Sequence, residues 1–167
     1  MTIPLPLEPN DELVAAAWLA SIPGLSPAMV ATTLPPDVDP RTGNPAAWVT
    51  TGFVTVSVAG GNPDAMLPVN RPVMQVDCWA TRPGSNKPPW WQAAAIASVI
   101  RRATWNLVAI PRPLTITANG VAYPGAIVRA AYMATAFRRL YADSADYAQY
   151  SGDLALDWIK VPDRINY

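Results

Sequence analysis

Proline occupies 19 of the 167 positions, well above the usual share of about 5%, and no other feature limits the fold of this chain as strongly. Each proline fixes φ and deletes a backbone donor, so regular elements have to fit between them. Glycine adds only 9 residues, which keeps the pair below the combined share of about 25–30% typical of disordered low-complexity chains. The prolines therefore punctuate an ordered fold.

Residues 1–10 read as an extended Pro-rich arm, because Pro4, Pro6 and Pro9 recur at short intervals. Residues 11–167 read as a single α+β domain. Asn10 is a natural N-cap, Asp11 and Glu12 suit the first turn of a helix, and Val14, Trp18 and Ile22, with Leu13 and Ala17, make one apolar face. Pro23-Gly24 ends that helix. A Pro-rich loop is expected over 25–46, with Pro35, Pro36, Pro40 and Pro45. Alternation of Val54, Val56 and Val58 with Thr55 and Ser57 predicts a strand over 47–59, stopped by Gly60-Gly61-Asn62-Pro63.

A second strand is expected over 73–81, with Met74, Val76, Cys78 and Ala80 on one face and Gln75, Asp77 and Trp79 on the other. Pro88-Pro89 opens an Ala-rich helix over 90–104, expected to pack on the sheet through Trp91, Ala95 and Val99, with Arg101 and Arg102 in its last turn. Asn119-Gly120, between Leu114–Thr117 and Val121–Tyr123, signals a type I′ hairpin. Over 126–140 the alanines favour helix, while Ile127-Val128 and Pro124-Gly125 favour strand; strand is the reading adopted. A last strand is expected over 150–160. The sum is one mainly antiparallel or mixed sheet of four to six strands covered by two helices.

Hydrophobic residues make up 51% of the chain and charged ones 14%, the latter against an ordinary value of about 25%. That supplies one substantial core, and the seven Trp and six Tyr imply either surfaces covered by partners or a Trp-rich core. Net charge is zero, which argues against an affinity built on neutralising many phosphates. No apolar run reaches the ~18 residues of a membrane span, since Gln92, Ser98 and Arg129 interrupt the candidates. The N-terminal residues lack the basic region of a signal peptide, so the expected site of synthesis and folding is the cytoplasm of the producing cell.

Catalytic chemistry finds little material. There is no His, the commonest general base, and the single Cys78 can form neither an internal disulfide nor a zinc site. Asp153 and Asp157 share a strand face but read as a solvated one. Asp37-Val38-Asp39 starts like a calcium loop without the later ligands. No glycine-rich phosphate cradle occurs, and no cofactor or metal is expected. Arg138-Arg139 near Tyr141, and Arg101-Arg102 near Trp105, invite comparison with single-strand nucleic-acid platforms, although a strand end and a helix C-terminus account for them.

Charge is unevenly placed. Residues 1–40 hold Glu8, Asp11, Glu12, Asp37 and Asp39 and no basic residue, a net of −5, while residues 41–167 carry +5. An acidic N-terminal surface meeting a basic patch on the next copy, built from Arg101, Arg102, Arg138 and Arg139, would set partner and orientation in a closed assembly. These nine residues are the candidate interface; the alternative is that the same charges pair within one subunit or simply face solvent.

The segment Arg71-Pro72-Val73-Met74-Gln75-Val76-Asp77-Cys78-Trp79-Ala80, followed by a short loop and the helix from Trp90, resembles the tail terminator proteins of long-tailed (siphovirus-type) bacteriophages, especially those of actinobacteria. So does the closing pattern, in which Arg138-Arg139-Leu140 leads through an acidic loop to Tyr147-Ala148-Gln149-Tyr150 and Asp153–Leu156. The resemblance covers the last 100 residues or so and leaves the loop at 25–46 unmatched. It implies a non-enzymatic α/β subunit of the virion, assembled in the host cytoplasm into a ring, usually a hexamer, on the head-proximal end of the tail tube. The implied partners are other copies of the chain, the tube protein and the head's connector or neck proteins, with genomic DNA passing through the lumen without specific binding and no membrane involved. Rival readings are another neck or head-completion protein, a nucleic-acid binding module, and a small enzyme using carboxylates alone.

Overall fold

A computed structural model describes residues 8–62, 66–85, 87–140 and 146–161. Residues 1–7, the greater part of the expected arm, lie outside it, as does Tyr141. In chain order the elements are α1 (Asp11–Ala20), a 3-10 turn (Pro27–Met29), β1 (Val30–Ala31), α2 (Trp48–Thr51), β2 (Phe53–Gly61), β3 (Pro72–Thr81), α3 (Trp90–Ala103), β4 (Arg112–Ala118), β5 (Val121–Leu140) and β6 (Tyr147–Lys160). The strands form one six-stranded sheet in the order β1-β2-β3-β6-β5-β4. Every neighbouring pair is antiparallel except β1 with β2, so the sheet is mixed.

Helices α1 and α3 cover one face, through a shared core with Trp18, Leu19, Met74, Val76, Ile100, Ile116 and Leu154. Helix α1 touches β4 at one edge of the sheet and β1 and β2 at the other, so the sheet curls around it. Its ends are held by specific bonds: the Leu13 amide donates to Asn10 Oδ1 at 2.8 Å, and the Trp158 indole N–H donates to Asp11 Oδ1 at 2.8 Å. At the other end Arg112 donates to Ser21 Oγ and to the Trp18 carbonyl, at 2.8 and 3.3 Å.

Several expectations change. Residues 48–51 make a helical turn, and the strand begins only at Phe53. The cause is Trp48, whose ring meets Phe53 edge-on at 6.1 Å and stacks on Tyr147 at 6.4 Å, while its N–H donates to the Pro36 carbonyl. Gly52, at φ 79°, makes the break. The strand does not stop at Gly60-Gly61 but runs through them past a bulge, because Gly61, at φ 111°, lets the backbone approach Arg71 and Pro72 where a Cβ would come within 2.5 Å. The expected loop at 25–46 contains the 3-10 turn and the short β1.

The hairpin forms as expected, with Asn119 at φ 51° and Gly120 at φ 76°. Its second strand merges with the ambiguous 126–140 segment into the 20-residue β5, which stays paired with β6 by means of three register shifts. The last strand starts three residues earlier than expected, at Tyr147.

The packing face of α3 is the largest correction. Ala93, Ile96, Ala97 and Ile100 are buried, while Ala95 is exposed and Trp91 is 69% exposed. Alanine faces alanine here, Ala93 packing with Ala80 of β3 and Ala148 of β6, so the small side chains mark the close contact and the tryptophan points away.

Candidate subunit interface

The N-terminal acidic residues are engaged within their own chain. Glu8 lies 3.4 Å from Lys160 Nζ, Asp11 accepts from Trp158 as above, and Glu12 Oε1 accepts from the Val58 amide at 3.4 Å, on the side of β2 that the two-residue β1 leaves uncovered. Asp37 and Asp39 sit elsewhere, in a tight loop closed by Ala46 N–H to the Asp37 carbonyl and by Asp39 N–H to the Asn44 carbonyl, each 2.8 Å. Asp39 Oδ1 accepts from the Arg41 amide at 2.8 Å, so its carboxylate orders the turn. Asp37 accepts from the Tyr147 hydroxyl; burial, this bond and the charges of Asp37 and Asp146 together push the Tyr147 phenol above its ordinary range.

The basic residues separate as well. Consecutive residues of a strand point to opposite faces, so Arg139 lies over the Trp90 ring at 3.5 Å on the helix side, while Arg138 stands opposite Ser151 on the other face. The Arg138-Arg139 pair is thus split between two surfaces and forms no single patch. Arg101 lies 5.2 Å from the centre of the exposed Trp105 ring, and Arg102 lines a shallow cavity with Ile22, Pro23, Val99 and Asn106. The structure does not bring the acidic five and the basic four together within one copy; the ion pairs described, Arg71 with Asp157 at 3.5 Å and Lys160 with Glu8, use other cations.

Three surfaces stand without cover among the described residues. One is the turn after α3, where Leu107 is 76% and Val108 92% exposed near Trp105, with Trp91 exposed at the helix's other end. Sequence patterning missed this turn because a four-residue non-periodic stretch has no signature. The second is part of the sheet face away from α1 and α3, where Ser57, Gln75, Tyr132 and Arg138 are exposed, although Thr55, Asp77 and Ser151, in register with Arg138 across four strands, are buried. In the neighbouring row the Thr135 hydroxyl donates to Asp153 Oδ2 at 2.7 Å, which occupies the carboxylate in a cross-strand bond. The third is a groove of about 400 Å³ along α1, between the two edges of the sheet.

Cys78 is fully buried, and desolvation, helped by the charge of Asp77, pushes its thiol well above the ordinary range, which makes it a core residue and no nucleophile. Burial also lowers the Arg112 guanidinium from its ordinary value. Among the described residues no three His, Cys, Asp or Glu side chains gather as metal ligands, and no helix is long and apolar enough to cross a membrane.

No protein-family model matches the chain, and no curated protein does. Among solved structures it is similar to a chain of the virion of a native gene transfer agent particle, at 13% identity and a TM-score of 0.46, over 89% of this chain and 85% of that one. A second solved chain is 16% identical with a TM-score of 0.41, over 92% of this chain and 99% of the other. At these values the likeness is loose.

Proposed function

We propose that the chain is a structural virion subunit, a tail terminator that closes into a ring, hexameric as in the family it resembles, on the head-proximal end of a phage tail tube. The observation that carries this reading is that the two sequence segments resembling that family form one contiguous unit. Strands β3 and β6 pair from Val73 with Ala155 to Thr81 with Tyr147, and α3 lies across both. The surfaces support an assembling role: apolar residues at the end of α3 and open sheet edges are what neighbouring subunits cover. A closed ring repeats one heterologous contact, and in it the exposed carboxylate of Glu8 and the half-buried one of Asp39 would face Arg101, Arg102 or Arg138 of the next copy. The ring caps the tube, offers its other side to the connector and lets DNA pass.

The test is direct. Negative-stain images and sedimentation of the purified chain are expected to show closed rings with a central hole, and adding the chain to polymerising tube protein of the same phage is expected to shorten the tubes. A chain that stays monomeric at every concentration overturns the reading. Rings that bind the connector but leave tube length unchanged favour a neck protein instead.

A further inference from the structure

The groove along α1 has an unusual setting. Its floor is the outer stripe of the helix, Leu13, Ala16, Ala17 and Ala20, and its walls are Val30 of β1 and Thr115–Thr117 of β4, the two edge strands of the sheet. None of its lining residues is charged. On the β4 side lies a strand edge that, among the described residues, pairs with β5 alone. Such a site suits an uncharged extended segment that supplies hydrogen bonds on one edge and apolar side chains on one face.

Residues 1–7, Met-Thr-Ile-Pro-Leu-Pro-Leu, have that pattern. In an extended chain alternate residues share both a side-chain face and a hydrogen-bonding edge. Ile3, Leu5 and Leu7 therefore present three apolar side chains on one face and three N–H groups on one edge, while Pro4 and Pro6 leave the opposite edge without donors, as suits the last strand of a sheet. A residue before proline disfavours the helical region, a propensity that suits Ile3 and Leu5 to an extended contact, and Asn10 is extended, at φ −87° and ψ 170°. The described chain enters α1 through Glu8, beside Lys160, and the extended Asn10. Seven extended residues span about 23 Å, more than the ~15 Å length of α1.

We propose that residues 1–7 of one copy add as a strand to the β4 edge of a second copy, seating Ile3, Leu5 and Leu7 over Ala16, Ala17 and Ala20. This rests on the reading that copies of the chain assemble, and it names the contact that joins them. The test uses a fluorescent peptide of residues 1–9 and the full-length chain carrying Leu5→Asp and Leu7→Asp, whose own arms cannot compete. Saturable binding is expected, at least tenfold weaker for a peptide with the same two Asp substitutions and for receptors with Ala16→Arg or Ala20→Arg that melt like their parent. In assembled protein a Leu5→Cys, Thr117→Cys chain is expected to cross-link between copies. Binding indifferent to the Asp substitutions or to both groove variants, or a bridge formed within a single copy, overturns the proposal. Peptide binding by a wild-type chain that sediments as a monomer upholds the arm contact and removes the ring, whereas wild-type rings with no peptide binding do the reverse.

Discussion

Helices α1 and α3 lie on the same face of the same sheet, yet they do different things. Helix α1 sits where the sheet curls, with Val14, Ala15, Trp18 and Leu19 fully buried, a side chain capping its first turn and Arg112 closing its last. Helix α3 has no side-chain cap at Pro89 and buries only one stripe, while Trp91, Ala95, Arg101 and Arg102 face outward. The difference teaches that tryptophan content is no guide to burial in this chain. Trp18 is core and Trp91 is display, although both sit on apolar helices.

The largest effect that probes this contrast is Trp18→Ala. Removing a fully buried tryptophan leaves a cavity between both sheet edges and is expected to destabilise by about 3–5 kcal/mol, whereas Trp91→Ala is expected to cost less than about 0.5 kcal/mol, as surface substitutions do. Urea unfolding of the two variants checks this. Equal losses would mean that α3 is as deeply packed as α1.

Beneath both helices, Cys78 gives a pH signature. Its thiol is held neutral in the folded chain by a pKa raised through burial, while in the unfolded chain it ionises near its usual value of about 8.5. The stability it contributes is therefore fully present below that value and is lost as pH rises above it, because the unfolded state releases the proton first, by up to about 1.4 kcal/mol per pH unit. Unfolding at pH 7, 9 and 10 is expected to show a steeper decline in the native chain than in Cys78→Ala, and a thiol reagent is expected to label Cys78 only on unfolding. An equal decline in both proteins would place the thiol in contact with solvent.

A smaller effect separates the helix starts. Asn10→Ala removes the bond to the Leu13 amide and is expected to cost about 1 kcal/mol, with no counterpart at Pro89, where there is no side-chain cap to lose. Thermal melts that leave the Asn10→Ala midpoint unchanged would show that the Trp158–Asp11 bond alone holds this end of α1.

The framework was legible where local chemistry decides it. The Asn10 cap, the Asn119-Gly120 turn and the alternation from Met74 to Ala80 each depend on neighbours within a few residues, and each element formed. The misses depended on distant contacts. Trp48 turns helical because Tyr147, a hundred positions on, offers it a ring to stack on, and Gly61 continues a strand because Arg71 and Pro72 arrive beside it. At the candidate interface the adjacent arginines looked like one patch, but the pleat of β5 sends them to opposite faces. The groove along α1 could not be read at all, since it exists only once two sheet edges meet around the helix.

The subtlest prediction tests the face of α3 itself. Trp91, Ala95 and Val99 recur every four residues and make an apolar stripe, but Trp91 and Ala95 share their arc of the helix with Ser98 and Arg102, whereas Ala93, Ile96, Ala97 and Ile100 fall on an arc without a charge. What selects the second stripe is close approach: Ala93 meets Ala80 and Ala148 directly, a fit that no tryptophan could take. Ala95→Asp therefore places its carboxylate in water and loses only helix propensity, at most about 0.7 kcal/mol, while Ala93→Asp puts a charge against the sheet and is expected to cost about 3 kcal/mol or more. Circular-dichroism melts of the pair decide between the stripes. A collapse of Ala95→Asp beside an intact Ala93→Asp would rotate α3 onto its other face and turn Trp91 inward.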